Sequence, residues 1–383
     1  MSLTGAPFLA LVVALTVAAF VGAVLLMPRI SGTGPRPVAG RVGLLILTNA
    51  FVVLTSAVLL NNEYSFFADW TDIKGALLGG KPHVTTAHAG AQPVGLDGPE
   101  DPPSLPDPAA QTVMPTLPAG GGTGRTRSFT VTGTHSGLTG QILIVLPADY
   151  FEAANATRRY PILETFSGYP AAPSQWPDGM HLTSTYDGVV DRHAVAPAIT
   201  ISPTIEFPGG VDTECVDGPD RKVETWITQD VPAWVTEHLR ASPAPTGWAT
   251  IGISSGAWCA AMATMLHPEQ YGAAIVLGGY FSPQFASSFH PFGPGTPAAT
   301  RYDLVGLASR APPPVALWVH TSKADGVSWP STSALLATAR PPLSVDAVVL
   351  EHAGHRASIW MDALPGALEW LGTSIPGFSP QTS

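Results

Sequence analysis

A mostly parallel β-sheet covered on both faces by helices, preceded by two membrane-spanning helices, is the fold class that this 383-residue sequence predicts. Three observations carry it. Short apolar segments of strand type alternate with helical segments from Arg127 onward. The stretch Ala249–Ala260 passes from a buried strand through a sharp turn into a small-residue helix. Two long runs free of charge lie before Leu60. The length suits one large domain of about 200–250 residues with appendages. A formal net charge of −10, with no Lys/Arg cluster, gives no support to a nucleic-acid partner. Two cysteines are too few for a disulfide scaffold or a four-cysteine zinc site.

Met1–Pro28 carries no charge, and Pro7–Met27 is long enough to cross a bilayer as a helix. A signal peptide fits poorly, because a basic start is missing and the apolar run is too long. The second run, Val42–Leu60, includes Thr48, Asn49, Thr55 and Ser56 but no charge. It reads as a second span, with a buried core helix as the competing reading. Arg29, Arg36 and Arg41 lie between the runs, whereas Glu63, Asp69 and Asp72 follow the second. The positive-inside rule then places the arginine loop in the cytoplasm and both the N-terminus and everything after Leu60 outside. Residues 1–74 are therefore expected to be a membrane anchor with helices at about 7–27 and 42–60.

Residues 75–126 are rich in Gly, Pro, Ala and Asp and read as a flexible tether, with an ordered extension as the alternative. The main folded domain is expected over 127–376, with a short tail at 377–383. Ser128–Gly133 alternates as a half-buried strand, and Gly140–Pro147 follows as a second strand ended by proline. Tyr160–Phe166 is a third, closed by the turn Ser167-Gly168-Tyr169-Pro170. A fourth is expected within Ala194–Ile201, and Val223–Arg240 has helical spacing despite Pro232. Tyr271–Gly278, Pro314–His320 and Val345–Leu350 are further buried strands, and Ile359–Leu371 is the last helix. The opening strands read as an antiparallel meander.

Gly252-Ile253-Ser254-Ser255-Gly256 fits G-x-S-x-G, the strand–turn–helix elbow that presents a nucleophilic serine in α/β-hydrolases. A serine hydroxyl needs a base, and the base needs an orienting acid. In that fold they follow in the order Ser, acid, His. Asp325 lies just past the strand ending near His320 and is the acid candidate; Asp303, Asp346 and Glu351 are rivals. His355 is the base candidate over His352, because Gly354 permits a tight turn before it. His320, His267 and His181 read as ordinary polar residues. An oxyanion hole is expected from the N–H of Ser255 and the N–H of Tyr169. The tryptophans, among them Trp176, Trp226, Trp258 and Trp329, are assigned to the core rather than to an acyl pocket.

With those residues in view, the chain resembles the esterase-D-like family of α/β-hydrolases over roughly Ser128–Leu371. That family includes S-formylglutathione hydrolases, feruloyl esterases and actinobacterial mycolyltransferases. The resemblance rests on Tyr160-Pro161-Ile162-Leu163, Gly168-Tyr169-Pro170, Gly252–Gly256, His267–Ala273, Lys323-Ala324-Asp325, and Gly354-His355 followed by Trp360, Leu364-Pro365 and Ala367-Leu368. It implies Ser254 as nucleophile, Asp325 as acid and His355 as base. The family commonly has His-Gly after the third strand; here the pair is Ser167-Gly168, a change that a backbone donor can survive. An extracytoplasmic location would let Cys215 and Cys259 form a disulfide, with two buried thiols as the alternative. The expected function is a membrane-anchored extracytoplasmic serine esterase acting on an ester or acyl-lipid, with no metal or organic cofactor. The alternatives are a mycolyltransferase-like acyltransferase and a non-catalytic envelope protein with a retired hydrolase domain.

Overall fold

A computed structural model of the chain describes residues 2–80, 82–91, 114–209, 212–286 and 289–380. The chain divides into two compact units. The smaller comprises Met1–His83 with Ser322–Gly326 and Leu350–Arg356; the larger comprises Val84–Thr321, Val327–Val349 and Ala357–Ser383.

In the smaller unit, α1 spans Ala6–Leu26, α2 spans Pro35–Tyr64 and α3 spans Trp70–Leu78. The first two are long and apolar enough to cross a membrane. α2 starts earlier than the sequence predicts, with Pro35 in its first turn, where its missing N–H costs no helical hydrogen bond. It thus takes in Arg36 and Arg41, which the sequence left in a loop. The hydroxyls of Thr16 in α1 and Thr55 in α2 hydrogen-bond at 2.7 Å. α3 begins at Asp69, whose side chain accepts from Asp72 N–H at 2.9 Å.

The larger unit is built on a nine-stranded sheet: β1 (Val84–Gly90), β2 (Thr126–Thr132), β3 (Thr139–Val145), β4 (Ile162–Phe166), β5 (Ile199–Pro203), β6 (Trp248–Ile253), β7 (Ala273–Leu277), β8 (Ala316–Ser322) and β9 (Ser344–Leu350). Strand order is β1-β9-β8-β7-β6-β4-β5-β3-β2. β2, β3 and β5 pair antiparallel, whereas β5, β4, β6, β7 and β8 run parallel. The opening strands are therefore not a meander: β3 pairs with β5, and β4 enters between β5 and β6. The helices are α4 (Leu182–Asp191), α5 (Val223–Thr225), α6 (Val231–His238), α7 (Ser255–Leu266), α8 (Pro297–Arg301), α9 (Leu304–Arg310), α10 (Trp329–Thr338) and α11 (Ala357–Ser374). A π-turn, Trp226–Asp230, joins α5 to α6 ahead of Pro232.

Two expected boundaries change. β1 and the end of α3 fall inside the span read as a tether; the middle of that span lies outside the described residues. β1 pairs at the sheet edge, so its order comes from β9 rather than from its own composition. In the expected tail, Phe378 is fully buried and its carbonyl accepts from Ala196 N–H at 2.8 Å. Residues 381–383 lie outside the described residues.

The sheet separates two apolar layers. Ala274 and Val276 of β7 pack with residues of α6 and α7, while Ala273, Ile275 and Leu277 pack with α4 and α11. Trp226 and Trp258 belong to the first layer and Trp176 to the second, as core residues; Trp329 packs partly buried against the first. Each fully buried Leu or Ile is worth about 1.5–3 kcal/mol, which makes β6 and β7 rigid supports for whatever follows them.

Two acids lie within these layers. Burial pushes the Glu164 carboxyl in β4 up to about 8, with Tyr271 donating to it at 2.8 Å. Burial, then the charge of Asp212, pushes Glu214 to about 8 as well. Both groups hold a proton in the folded chain that the unfolded chain releases above about pH 4.5. Their contribution is therefore complete below that pH and is lost as pH rises toward 8. Thermal unfolding followed by tryptophan fluorescence should show stability falling across this window. Glu164→Gln combined with Glu214→Gln should flatten the fall; an unchanged slope would count against these two groups.

Candidate active site

The larger unit contains the elbow. β6 delivers Ser254 at φ 53° and ψ −123°, between the strand and α7. That left-handed backbone costs a non-glycine residue about 1–3 kcal/mol. It is held by hydrogen bonds: Ser254 N–H donates to Leu277 O and Ser254 O accepts from Ala257 N–H, each at 3.0 Å. The flanking glycines are required by close approach. A Cβ on Gly252 would lie 2.0 Å from Gly256 O, and one on Gly256 would lie 2.2 Å from Phe166 O. Ser254 is half-buried, and its hydroxyl does not cap α7.

The turn after β4 reaches the same place. A Cβ on Gly168 would sit 3.2 Å from Ile253 O and 3.3 Å from the Ser254 Cβ. Tyr169 N–H donates to Ser255 Oγ at 2.9 Å, while Gly168 N–H donates to the Gln175 side chain. The two residues expected to supply oxyanion donors are thus brought together, with the Ser255 hydroxyl as the present acceptor of the Tyr169 N–H.

Cys215 and Cys259 are joined by a disulfide, with Cα atoms 5.7 Å apart. The loop carrying Cys215 is latched to α7 a second time, by Trp258 Nε1–H donating to Glu214 O at 2.7 Å. Glu214 and Cys215 both take positive φ, 51° and 54°, so the loop turns tightly against the helix.

The smaller unit contains the acid and base candidates. Nδ1 of His355 lies 2.9 Å from Oδ2 of Asp325, and both side chains are nearly buried. Their loops follow β8 and β9 and are tied to each other. The Ser322 hydroxyl accepts from Ala324 N–H and Ala353 N–H, and Lys323 N–H donates to Leu350 O. Gly354 is needed for a reason that the sequence did not show. Its backbone is not left-handed; a Cβ there would lie 2.1 Å from Phe66 O. His355 N–H donates to Ser65 O at 2.8 Å.

The rival residues have other partners. Glu351 pairs with Lys323, Asp346 with His88 and Trp370, and Asp303 caps α9. His352 pairs with Asp69. Burial lowers His320 to about 4, which makes it a neutral ring inside β8. His267 lies 2.7 Å from Glu224. Burial raises that carboxyl, but hydrogen bonds from His267, Arg301 and Tyr302 outweigh it and hold the group near 2. His181 precedes α4 in a left-handed conformation. No cluster of His, Cys, Asp or Glu among the described residues has the makeup of a metal site. Asp72 and Asn61, which organise the surroundings of the His355 loop, were not found from the sequence. An Asp-x-x-Asp pattern at a helix start was the available signal for Asp72.

The chain resembles an uncharacterised protein of Corynebacterium glutamicum, 29% identical over 140 residues. That match covers 36% of this chain and only 32% of the Corynebacterium protein. Solved structures share the fold. A ferulic acid esterase aligns with a TM-score of 0.54 at 19% identity, over 65% of this chain and 97% of that one. An S-formylglutathione hydrolase from Agrobacterium tumefaciens gives 0.53 at 14%, over 66% and 98%. A fluorophosphonate-binding serine hydrolase of Staphylococcus aureus gives 0.53 at 13%, over 65% and 99%. The family described as "Putative esterase" matches residues 137–368, which contain the elbow, the turn after β4, the disulfide and the Asp325–His355 pair. The chain belongs to this esterase family.

Proposed function

We propose that the protein is a membrane-anchored serine esterase whose catalytic residues are Ser254, His355 and Asp325. The observation that carries this reading is the buried contact between His355 Nδ1 and Asp325 Oδ2 at 2.9 Å. A carboxylate on Nδ1 fixes the tautomer whose lone pair is on Nε2, the form a general base needs. Support also comes from the strained elbow at Ser254 and from the chain order Ser, Asp, His.

In this mechanism Ser254 Oγ attacks the ester carbonyl carbon and its proton passes to His355 Nε2. The N–H groups of Ser255 and Tyr169 receive the oxyanion, the substrate oxygen replacing the Ser255 hydroxyl as acceptor for Tyr169. Collapse breaks the ester C–O bond, and the alcohol leaves with the proton from His355. Water then attacks the acyl carbon, giving a proton to His355; the bond from that carbon to Ser254 Oγ breaks, His355 returns the proton to Oγ, and the acid leaves. A sugar or lipid hydroxyl in place of water would make the same site an acyltransferase.

The anchor is formed by α1 and α2, and the arginines at the start of α2 favour a cytoplasmic turn with the catalytic residues outside. Protease added to intact cells should then reach the catalytic domain; full protection would reverse the topology. Activity is tested on the full-length protein in detergent, with p-nitrophenyl esters of increasing chain length and excess acceptor alcohol. Release of free acid is expected; acyl transfer to the alcohol as the dominant product would identify a transferase. Absence of both ester turnover and fluorophosphonate labelling would overturn the enzymatic reading.

A further inference from the structure

We propose that Asp72 is a positioning residue for the His355 loop, so that the segment leaving the second apolar helix takes part in catalysis. This rests on the assignment of His355 as the general base. The Asp72 carboxylate is 5% exposed. It accepts from Gly354 N–H at 2.8 Å and from both terminal nitrogens of Arg356 at 2.7 Å. It also accepts from Ala68 N–H at 3.0 Å. The residues on either side of His355 are therefore held by one carboxylate. His355 itself donates its backbone N–H to Ser65 O.

That carboxylate is fixed in turn to α2. The Asn61 side chain, near the end of α2, accepts from Phe67 N–H at 2.7 Å and donates to Phe67 O at 3.0 Å. This latch folds the turn Ser65–Ala68 back toward the helix. Arg356 lies over the Phe67 ring, 4.8 Å from its centre. Asp69 caps α3 and pairs with His352 at 2.7 Å. Burial raises the Asp69 carboxyl, but hydrogen bonds from Asp72 N–H and His352 outweigh it and hold the group low.

The chemistry of the clamp suits a positioning task. A planar guanidinium on a carboxylate fixes direction as well as distance. An imidazole displaced by about 1 Å from its working position can lose on the order of 10²-fold in rate. Such displacement changes the transition state more than substrate binding, so it acts on kcat rather than KM. The Asp325–His355 contact orients the ring; the Asp72 clamp sets the backbone from which the ring projects.

The test compares full-length Asp72→Asn, Arg356→Met, Arg356→Lys and His355→Ala in detergent, with kcat and KM measured on one p-nitrophenyl ester and folding checked by near-UV circular dichroism. His355→Ala should be inactive. Asp72→Asn and Arg356→Met should each lower kcat by about 10- to 100-fold with KM nearly unchanged. Arg356→Lys, which keeps a cation on Asp72 but not the planar two-pronged contact, should recover part of the loss. If Asp72→Asn does not fold, the Met/Lys pair at 356 decides the question. Wild-type kcat in the folded Asp72→Asn and Arg356→Met proteins, with His355→Ala inactive, would remove the positioning role and leave the triad standing. Equal kcat in folded Arg356→Met and Arg356→Lys would also remove it. An active His355→Ala would instead remove the base assignment on which the inference rests.

Discussion

Ser254→Ala should lower kcat for ester hydrolysis by about 10⁶-fold and abolish labelling by a fluorophosphonate probe. The size follows from the role: without Oγ no acyl-enzyme forms, and what remains comes from binding and oxyanion stabilisation. The fold should not change, because the strain at Ser254 is in the backbone and is the same for alanine. Ser254→Gly separates the two effects. It is equally inactive, but glycine adopts φ 53° without a Cβ penalty, so its melting temperature should exceed that of Ser254→Ala. Activity and labelling retained in Ser254→Ala would place the nucleophile elsewhere. A Gly variant no more stable than the Ala variant would show that the elbow stores no strain.

The elbow could be read from the sequence because its determinants are local. Gly252 and Gly256 are dictated by contacts between a strand and the helix that follows it, and a five-residue pattern captures both. The pairing of Asp325 with His355 was legible through chain order, since each follows a strand of a sheet whose strands alternate with helices. The disulfide was accessible from the two cysteines and the inferred compartment. What stayed hidden depends on distant partners. β4 lies between β5 and β6, and no pattern within Ile162–Phe166 records which strands it will pair with. β1 reads as loop by composition, and only pairing at the sheet edge orders it. Gly354 was recognised as necessary for the wrong reason, because its requirement comes from Phe66. Asp72 is one carboxylate among 28 acidic residues, and only its contacts with the His355 loop distinguish it.

Asp325→Asn is expected to reduce kcat by about 10⁴-fold while leaving the protein folded. Asparagine is nearly the same shape, so the loop hydrogen bonds through Ser322 remain available. The difference is which group donates. Aspartate accepts from Nδ1–H of His355 and keeps the basic lone pair on Nε2. The asparagine amide can donate to Nδ1 and so favour the opposite tautomer, with the proton on the nitrogen that must receive one. Imidazolium also loses the charge that stabilises it in the transition state. Glu351→Gln is the matched control, because Glu351 pairs with Lys323 on an exposed part of the same pair of loops. Its loss should stay within about threefold, as an exposed ion pair is worth little. If instead Glu351→Gln were the damaging change and Asp325→Asn were active, the acid would be Glu351, and the buried contact to His355 would be a packing interaction alone. Measuring kcat and KM for both variants decides between these outcomes, since loss of the true orienting acid falls on kcat.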